Sequence, residues 1–439
     1  MMLNKIIDAL KKRTDLTGWT VRHIQTRESQ VYLVPKGIES QRSVNGERYL
    51  IDVLRSGLAP DGSPTVGNGN ASLLPGGDIE HAIDQAALVA GLVSNPVYGL
   101  PEPSPLPDVE LSDGTLKADA SGVMHDLMEH MQEYAARNPK ARLTAAEAFG
   151  QVRTTRLVNS RGIDVEQEET HVEIEFVLHA QKGDRDSETF HSMTRRRLAD
   201  LDLETIMANQ GRYTLDLLEA DAPASWQGPV VLRGDALTIF MAGDNLNGSV
   251  IQTLGSAAAK YAQFSPWEVG KPVFRGEVKG DALTVWANRA MPFGVGSDRF
   301  DAEGLPAQRV ELIHENTLST FFANQRYSEY LKLPATGEFG NIELPPGKTP
   351  AAELLKEPYV EIVQFSWFNP DPITGDFATE IRFGYRVENG VRTPVKGGQL
   401  VGNYMDALAD VRWSAETGFF GGYLGPHTAR FNDLKISGA

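Results

Sequence analysis

The sequence predicts an α+β fold in two parts. These are an N-terminal α/β domain with an antiparallel meander and long helices, residues 1–221, and a β-rich, barrel-like C-terminal domain, residues 222–439. Three observations carry this expectation. Leu3, Ile6, Ile7 and Leu10 keep the i, i+3, i+4, i+7 spacing of an amphipathic helix. Strand-like runs with turn residues between them follow directly. In the second half, short β-like runs recur between glycines and prolines, the pattern of antiparallel sheets and barrels.

Taken in order, the first helix ends near Thr17-Gly18. Strands are predicted over Val21–Thr26, Gln30–Pro35, Ile38–Val44 and Arg48–Leu54, with Asn45-Gly46 as a hairpin turn. The stretch Pro60–Gly77 is rich in Gly, Pro, Ser and Asn and reads as a loop. Asp78–Val93 is helical, with Ile79, Ala82, Ile83, Ala86, Ala87 and Ala90 on one face. Five prolines make Asn95–Asp113 an extended connector. A second helix, Leu116–Asn138, precedes two long strands, Leu143–Asn159 and Ile163–Gln181, and Gly183–Ser187 is a tight loop. Leu203–Glu219 is a third helix, and Ala222–Gly228 reads as the linker between domains. Beyond it, the apolar strand Val230–Leu232 runs into a turn at Gly234 and a helical segment with Leu237, Phe240 and Met241. The later β-like runs are Leu283–Ala287, Gln308–His314, Leu318–Ala323, Tyr359–Phe365, Glu380–Val387 and Val395–Val401.

Composition narrows the function. The chain has no cysteine, which excludes disulfides, cysteine nucleophiles and cysteine-bound metal. With 58 acidic against 42 basic residues the net charge is −16, so direct binding of nucleic acid is not expected. The basic run Arg195–Arg197 reads as a solvated or ion-paired edge. Lys5, Lys11 and Lys12 break any signal-peptide core, and no stretch approaches the ~18 apolar residues of a membrane span. A cytoplasmic protein without membrane contact is expected.

No catalytic motif stands out. His125 and His130 are five residues apart, so on a helix they diverge by about 140°, although His125 and Glu129 share a face. His171 and His179 face one side of a strand but lie ~26 Å apart, too far to share a metal. His191 lies nearby, and His427 stands alone in a Gly-Pro loop. Ile313-His-Glu-Asn316 lacks a second histidine. Asp301-Ala-Glu303 offers two carboxylates, yet the following glycine favours a turn over an acid/base pair. Neither a serine elbow nor a phosphate loop is present.

A series of segments in fixed order does carry a resemblance. These are Asn159-Ser-Arg-Gly-Ile-Asp164, the strand–turn–helix at Pro229–Val250, Gly296–Pro306, Pro334–Asn341, Asp371–Phe377, Gly384–Gly390 and Val401–Asn403. Together they resemble the TldD/PmbA family, called modulators of DNA gyrase. In the TldD branch, the resemblance implies, the helix after the strand carries HExxxH, with two zinc-binding histidines and a water-activating glutamate. Here that place reads FMAGDNLNG, with no histidine from Trp226 to Gly294. A C-terminal cysteine implied as third ligand corresponds to Phe419–Tyr423, FFGGY. The chain therefore resembles the PmbA (TldE) branch, and neither metal nor cofactor is expected.

The function implied is that of a non-metal subunit in a TldD/TldE-type proteolytic system acting on unfolded peptides. A TldD-like chain or a second copy would be its partner. Candidate substrate-binding residues are Asp244, Asn245 and Asn247, then Gly337, Gly340 and Asn341, then Gly402 and Asn403. Two alternatives stay open: a non-catalytic homodimeric peptide-binding scaffold, and an autonomous hydrolase with a diverged carboxylate site.

Overall fold

The computed structural model describes residues 2–243 and 248–438. The first half contains α1 (Met2–Lys11), β1 (Gly18–Val34), β2 (Gly37–Leu58), β3 (Pro64–Leu73), α2 (Ile79–Leu92), α3 (Gly114–Arg137), β4 (Arg142–Asn159), β5 (Asp164–Lys182), β6 (Arg185–Arg195) and α4 (Leu203–Leu217). Its six strands form one antiparallel sheet in the order β3-β2-β1-β4-β5-β6. Side chains alternate across it. On β5, Val172, Ile174, Phe176 and Leu178 are buried beneath α3 and α4, while Glu173 and Glu175 face the polar side. α1 and α2 cover the other end of the same face, over Trp19, Val21, Ile51 and Val53.

Three local expectations are corrected. Asn45-Gly46 makes no hairpin. β2 runs through it unbroken, with Asn45 opposite Arg27 and Gly46 opposite Thr26. The reversal lies between Val34 and Gly37, a cross-strand pair. The stretch read as a loop contains β3, whose glycines serve packing. A Cβ on Gly67 would lie 1.7 Å from the Ala90 carbonyl oxygen, and one on Gly69 2.1 Å from that of Ala86, so α2 sits directly on the strand. β6 already begins at Arg185, within the predicted tight loop.

The second half opens with β7 (Trp226–Arg233), which absorbs the end of the predicted linker, and α5 (Gly234–Ala242). With β8 (Tyr359–Phe365), β9 (Asp376–Glu388), β10 (Gln399–Asn403) and β11 (Thr428–Ser437), β7 forms a ring in the order β8-β7-β11-β10-β9. β8 also pairs with β9, closing a five-stranded barrel. The predicted run Val395–Val401 is split at Gly397-Gly398, both with positive φ. α5 packs on the barrel through Phe240, which stacks on Tyr404 with ring centres 4.6 Å apart. Six short strands between residues 285 and 426 form a further sheet that shares this core.

The proline-rich connector ties the halves together. Glu329 accepts from the Gly99 amide at 3.1 Å, Arg299 Nε donates to the Pro107 carbonyl, and the Phe293 amide donates to Glu110. Among the described residues no helix is long and apolar enough to cross a membrane.

Candidate functional site

A cleft of about 490 Å³ opens where β6, the last strand of the large sheet, faces α5 and the barrel. Its position follows from the sheet order. Among the described residues β6 pairs only with β5, so one edge of its backbone is left without a strand. The Phe190 carbonyl accepts from Gln364 Nε2 at 2.9 Å and the Thr194 carbonyl from Arg195 Nη1 at 2.8 Å. Phe190, Ser192 and Thr194 thus point their backbone groups away from β5 and into the cleft. The far wall is apolar and aromatic, with Ile239, Phe365, Trp367 and Phe420. Phe190 and Trp367 are well exposed for their size, at 41% and 63%.

The polar groups of the cleft come from both halves of the chain. His191 is buried, and its Nδ1 lies 3.1 Å from Gln210 Nε2 and 3.6 Å from Asp235 Oδ2. Gln210 can only donate there, so Nδ1 is the acceptor. Burial pushes the imidazole below its usual pKa, against the pull of Asp235, so His191 is neutral at pH 7. Asp235 stands in the first turn of α5. Arg195, at the end of β6, is held down in pKa by burial and has no carboxylate within 4 Å among the described residues.

Beneath the cleft lies a buried ion cluster. Arg196 is 1% exposed and donates to Glu169 Oε2 at 2.7 Å. It also donates to the carbonyls of Gly294, Val295 and Ser297 at 2.6, 3.1 and 2.6 Å. Arg153 bonds the other oxygen of Glu169. Burial opposes ionisation of Glu169, but His171, Arg196 and Arg153 hold its carboxyl well below the usual range. Arg196 therefore clamps the 294–297 loop, and with it the cleft wall at Val295 and Gly296, onto the N-terminal sheet. Of the basic run, Arg196 and Arg197 are ion-paired, the latter to Asp200 at 2.9 Å.

The candidate residues fall in different places. Gly340 and Asn341 line the cleft. Asn341 accepts from the Gly296 amide and donates to Asn288 O and Ser297 Oγ, so it fixes the same loop that Arg196 clamps. Gly337 (φ +80°) lies behind them, wrapping Arg289, whose Nη1 a Cβ would meet at 2.0 Å. Gly402 and Asn403 border a separate hollow of about 620 Å³, where Asn403 caps the helix Tyr404–Ala409. Asp244, Asn245 and Asn247 lie outside the described residues, just after α5. His191, Asp235 and Arg195 were not singled out for the site by sequence reasoning. His191 and Asp235 are 44 positions apart, and only the packing of β6 against α5 joins them.

The other decoys resolve as surface or turn chemistry. His125 pairs with Glu129 at 3.4 Å on the exposed side of α3. Asp301 Oδ1 accepts from the Glu303 and Leu305 amides, closing a turn, while Oδ2 lies 3.6 Å from Arg289.

Residues 228–438 match the model of the PmbA/TldA metallopeptidase C-terminal domain. The C-terminal half of the chain is thus a TldD/PmbA-family domain. The chain is 24% identical over 243 residues to metalloprotease PmbA of Escherichia coli O157:H7, covering 54% of this chain and 51% of that protein. It is also 24% identical over 281 residues to a zinc metalloprotease TldD homolog of Saccharolobus solfataricus, covering 54% of this chain and 57% of that protein. The aligned part is thus little more than half of each. The fold superposes on TldE from Thermococcus kodakarensis with a TM-score of 0.81 at 18% identity, over the whole of both chains. A candidate modulator of DNA gyrase from Thermotoga maritima gives 0.79 at 19%, covering 99% of this chain. The TldD/PmbA fold is therefore present throughout.

A metallopeptidase family implies a metal. The cleft's described donors are one imidazole, with Nδ1 already bonded, and one carboxylate, with a guanidinium close by. Among the described residues no three His, Asp or Glu side chains converge. These residues do not fit a zinc ion, which needs three protein ligands in one tetrahedral shell.

Proposed function

We propose that this TldD/PmbA protein is the peptide-holding, metal-free subunit of a two-chain proteolytic system, with hydrolysis carried by a TldD-like partner. The observation that supports it most is the edge of β6 that no further described strand covers, facing a cleft under α5, where only side chains bond the Phe190 and Thr194 carbonyls. An extended peptide can add to such an edge as a further strand, with backbone hydrogen bonds for affinity and little demand on sequence. Phe190 and Trp367 offer apolar surface to its side chains. Among the described residues the same cleft supplies no metal shell and no activated nucleophile.

The carboxylate-hydrolase reading has less support, since Asp301 is committed to a turn and to Arg289. The test is cleavage of an unfolded peptide by this chain, by a TldD-like sibling from the same genome, and by the two mixed, alongside elemental analysis for zinc. Cleavage is expected only where the sibling is present, and to be stimulated by this chain. Stoichiometric zinc in this chain, or cleavage by it alone, would overturn the proposal.

A further inference from the structure

Arg195 is the feature of the cleft that its internal packing leaves unexplained. Arg195 is half-buried, and a guanidinium partly withdrawn from water is ordinarily paired with a carboxylate. Here Nη1 turns back to the Thr194 carbonyl at 2.8 Å, Nε is buried without a hydrogen-bond partner, and no carboxylate lies within 4 Å among the described residues. Asp235 and Asp200 act on it only at longer range. It is the sole cation lining the cleft among the described residues.

Its place is specific. Arg195 ends β6, and its Nη1 sits over the outward carbonyl of Thr194, where a strand added to the free edge would finish. Across from it the chain is pared down at Gly421, where a Cβ would approach Nη1 to 3.2 Å and the Thr194 oxygen to 3.1 Å. Guanidinium donors pair with carboxylates in a planar fork, and a ligand that combines a strand-forming backbone with a carboxylate is a peptide.

We propose that Arg195 is the carboxylate anchor of this cleft, selecting peptides that place an anionic group at the Arg195 end of β6. The inference rests on the peptide-holding function proposed above. The carboxylate is either the peptide's C-terminus or an Asp or Glu side chain. A segment running parallel to β6 would deliver its C-terminus there, and one running antiparallel would deliver a side chain.

Four versions of an amino-terminally labelled nonapeptide of alternating valine and threonine with one phenylalanine separate these cases. They carry a free or amidated C-terminus, each with an internal Asp or Asn, and binding to the full-length chain is followed by fluorescence anisotropy. The amidated Asn peptide should bind at least about tenfold more weakly than the best acid, the loss of one charge-assisted pair. Arg195→Gln should abolish that preference, and Arg195→Lys should restore part of it. The single-charge peptides identify the source. Ser192→Pro removes one outward amide while leaving the β5 pairing intact, and should weaken all four peptides alike. Equal affinity of all four peptides for the unaltered chain, with Ser192→Pro still weakening them, would overturn the carboxylate anchor and leave the strand-holding function standing. Binding of none would overturn both. The wild-type comparison does not depend on whether any variant folds.

Discussion

Replacing Arg196 with methionine keeps the apolar stem but removes four donated hydrogen bonds at the junction of the two halves. The losses can be worked separately. Removing one partner of a buried ion pair costs roughly 3–5 kcal/mol. Glu169 keeps Arg153, so the lower end, about 3 kcal/mol, applies. The Gly294 carbonyl still accepts from the Ser297 amide, whereas those of Val295 and Ser297 lose the guanidinium, at about 1 kcal/mol each. The sum, about 5 kcal/mol, is a large share of a total stability of roughly 5–15 kcal/mol. Urea denaturation followed by circular dichroism and tryptophan fluorescence should show a lower midpoint for Arg196→Met. Limited proteolysis should find the 294–297 loop newly accessible. Adding Glu169→Gln removes the stranded charge, so the double variant should lose at least ~1 kcal/mol less than the sum of the singles. If Arg196→Met costs under ~1 kcal/mol, or the two losses simply add, the clamp described here is not what joins the halves.

Other consequences are more local. Burial, aided by Asp301, Glu338 and Asp52, raises Glu303 from 4.5 to about 7 although Gln325's amide bonds it. With the folded pKa above the unfolded one, its contribution is present below about pH 4.5 and is lost as pH rises through about 7. Glu303→Gln, which keeps the acceptor, should therefore raise the urea midpoint at pH 8 and flatten its slope between pH 5 and 8. An unchanged slope would assign the pH dependence elsewhere. Gly69→Ala should cost about 3 kcal/mol or more, since its Cβ would fall 2.1 Å from the Ala86 carbonyl, and near-wild-type stability would contradict the close packing of α2. Asn159→Ala removes bonds to the Arg161 and Ile163 amides and the Pro101 carbonyl, and a loss of about 2–3 kcal/mol is expected in the same assay.

The architecture was readable because long elements average over their residues. The helices 79–92, 114–137 and 203–217 and the strand pair 142–182 lie within a few positions of their predicted spans. The misreadings share a cause. Asn45-Gly46 has a strong local preference for a turn, but the seventeen-residue β1 provides a ladder that overrides it. Gly46 makes room for Thr26, whose Oγ1 a Cβ would meet at 2.5 Å. Gly67 and Gly69 signalled a loop, when their lack of a side chain serves a neighbouring helix. In each case glycine answered to a distant part of the chain, which a local pattern cannot carry. The site suffers more from this. The ordered family segments pointed to Gly340 and Asn341 in the cleft wall, but the charges within it sit on β6 and α5, and the run Arg195–Arg197 looked like three equivalent cations. Depth and partners separate them: Arg196 is buried in a pair, Arg197 pairs with Asp200, and Arg195 faces the cleft.

The barrel's closure also has a consequence for biosynthesis. β7 lies between β8 and β11, so its two neighbours are made more than 120 and about 200 residues after it. During synthesis the large sheet can assemble from adjacent antiparallel pairs, joined only by the longer return from β1 to β4. β7, with its apolar Val230-Val231-Leu232, must wait with both edges open until residues 428–437 have been made. Such long-range pairing folds slowly and leaves sticky strand edges exposed meanwhile. The nascent chain is therefore expected to pass through a stage with a finished N-terminal half and an open barrel, the stage at which chaperone binding matters most.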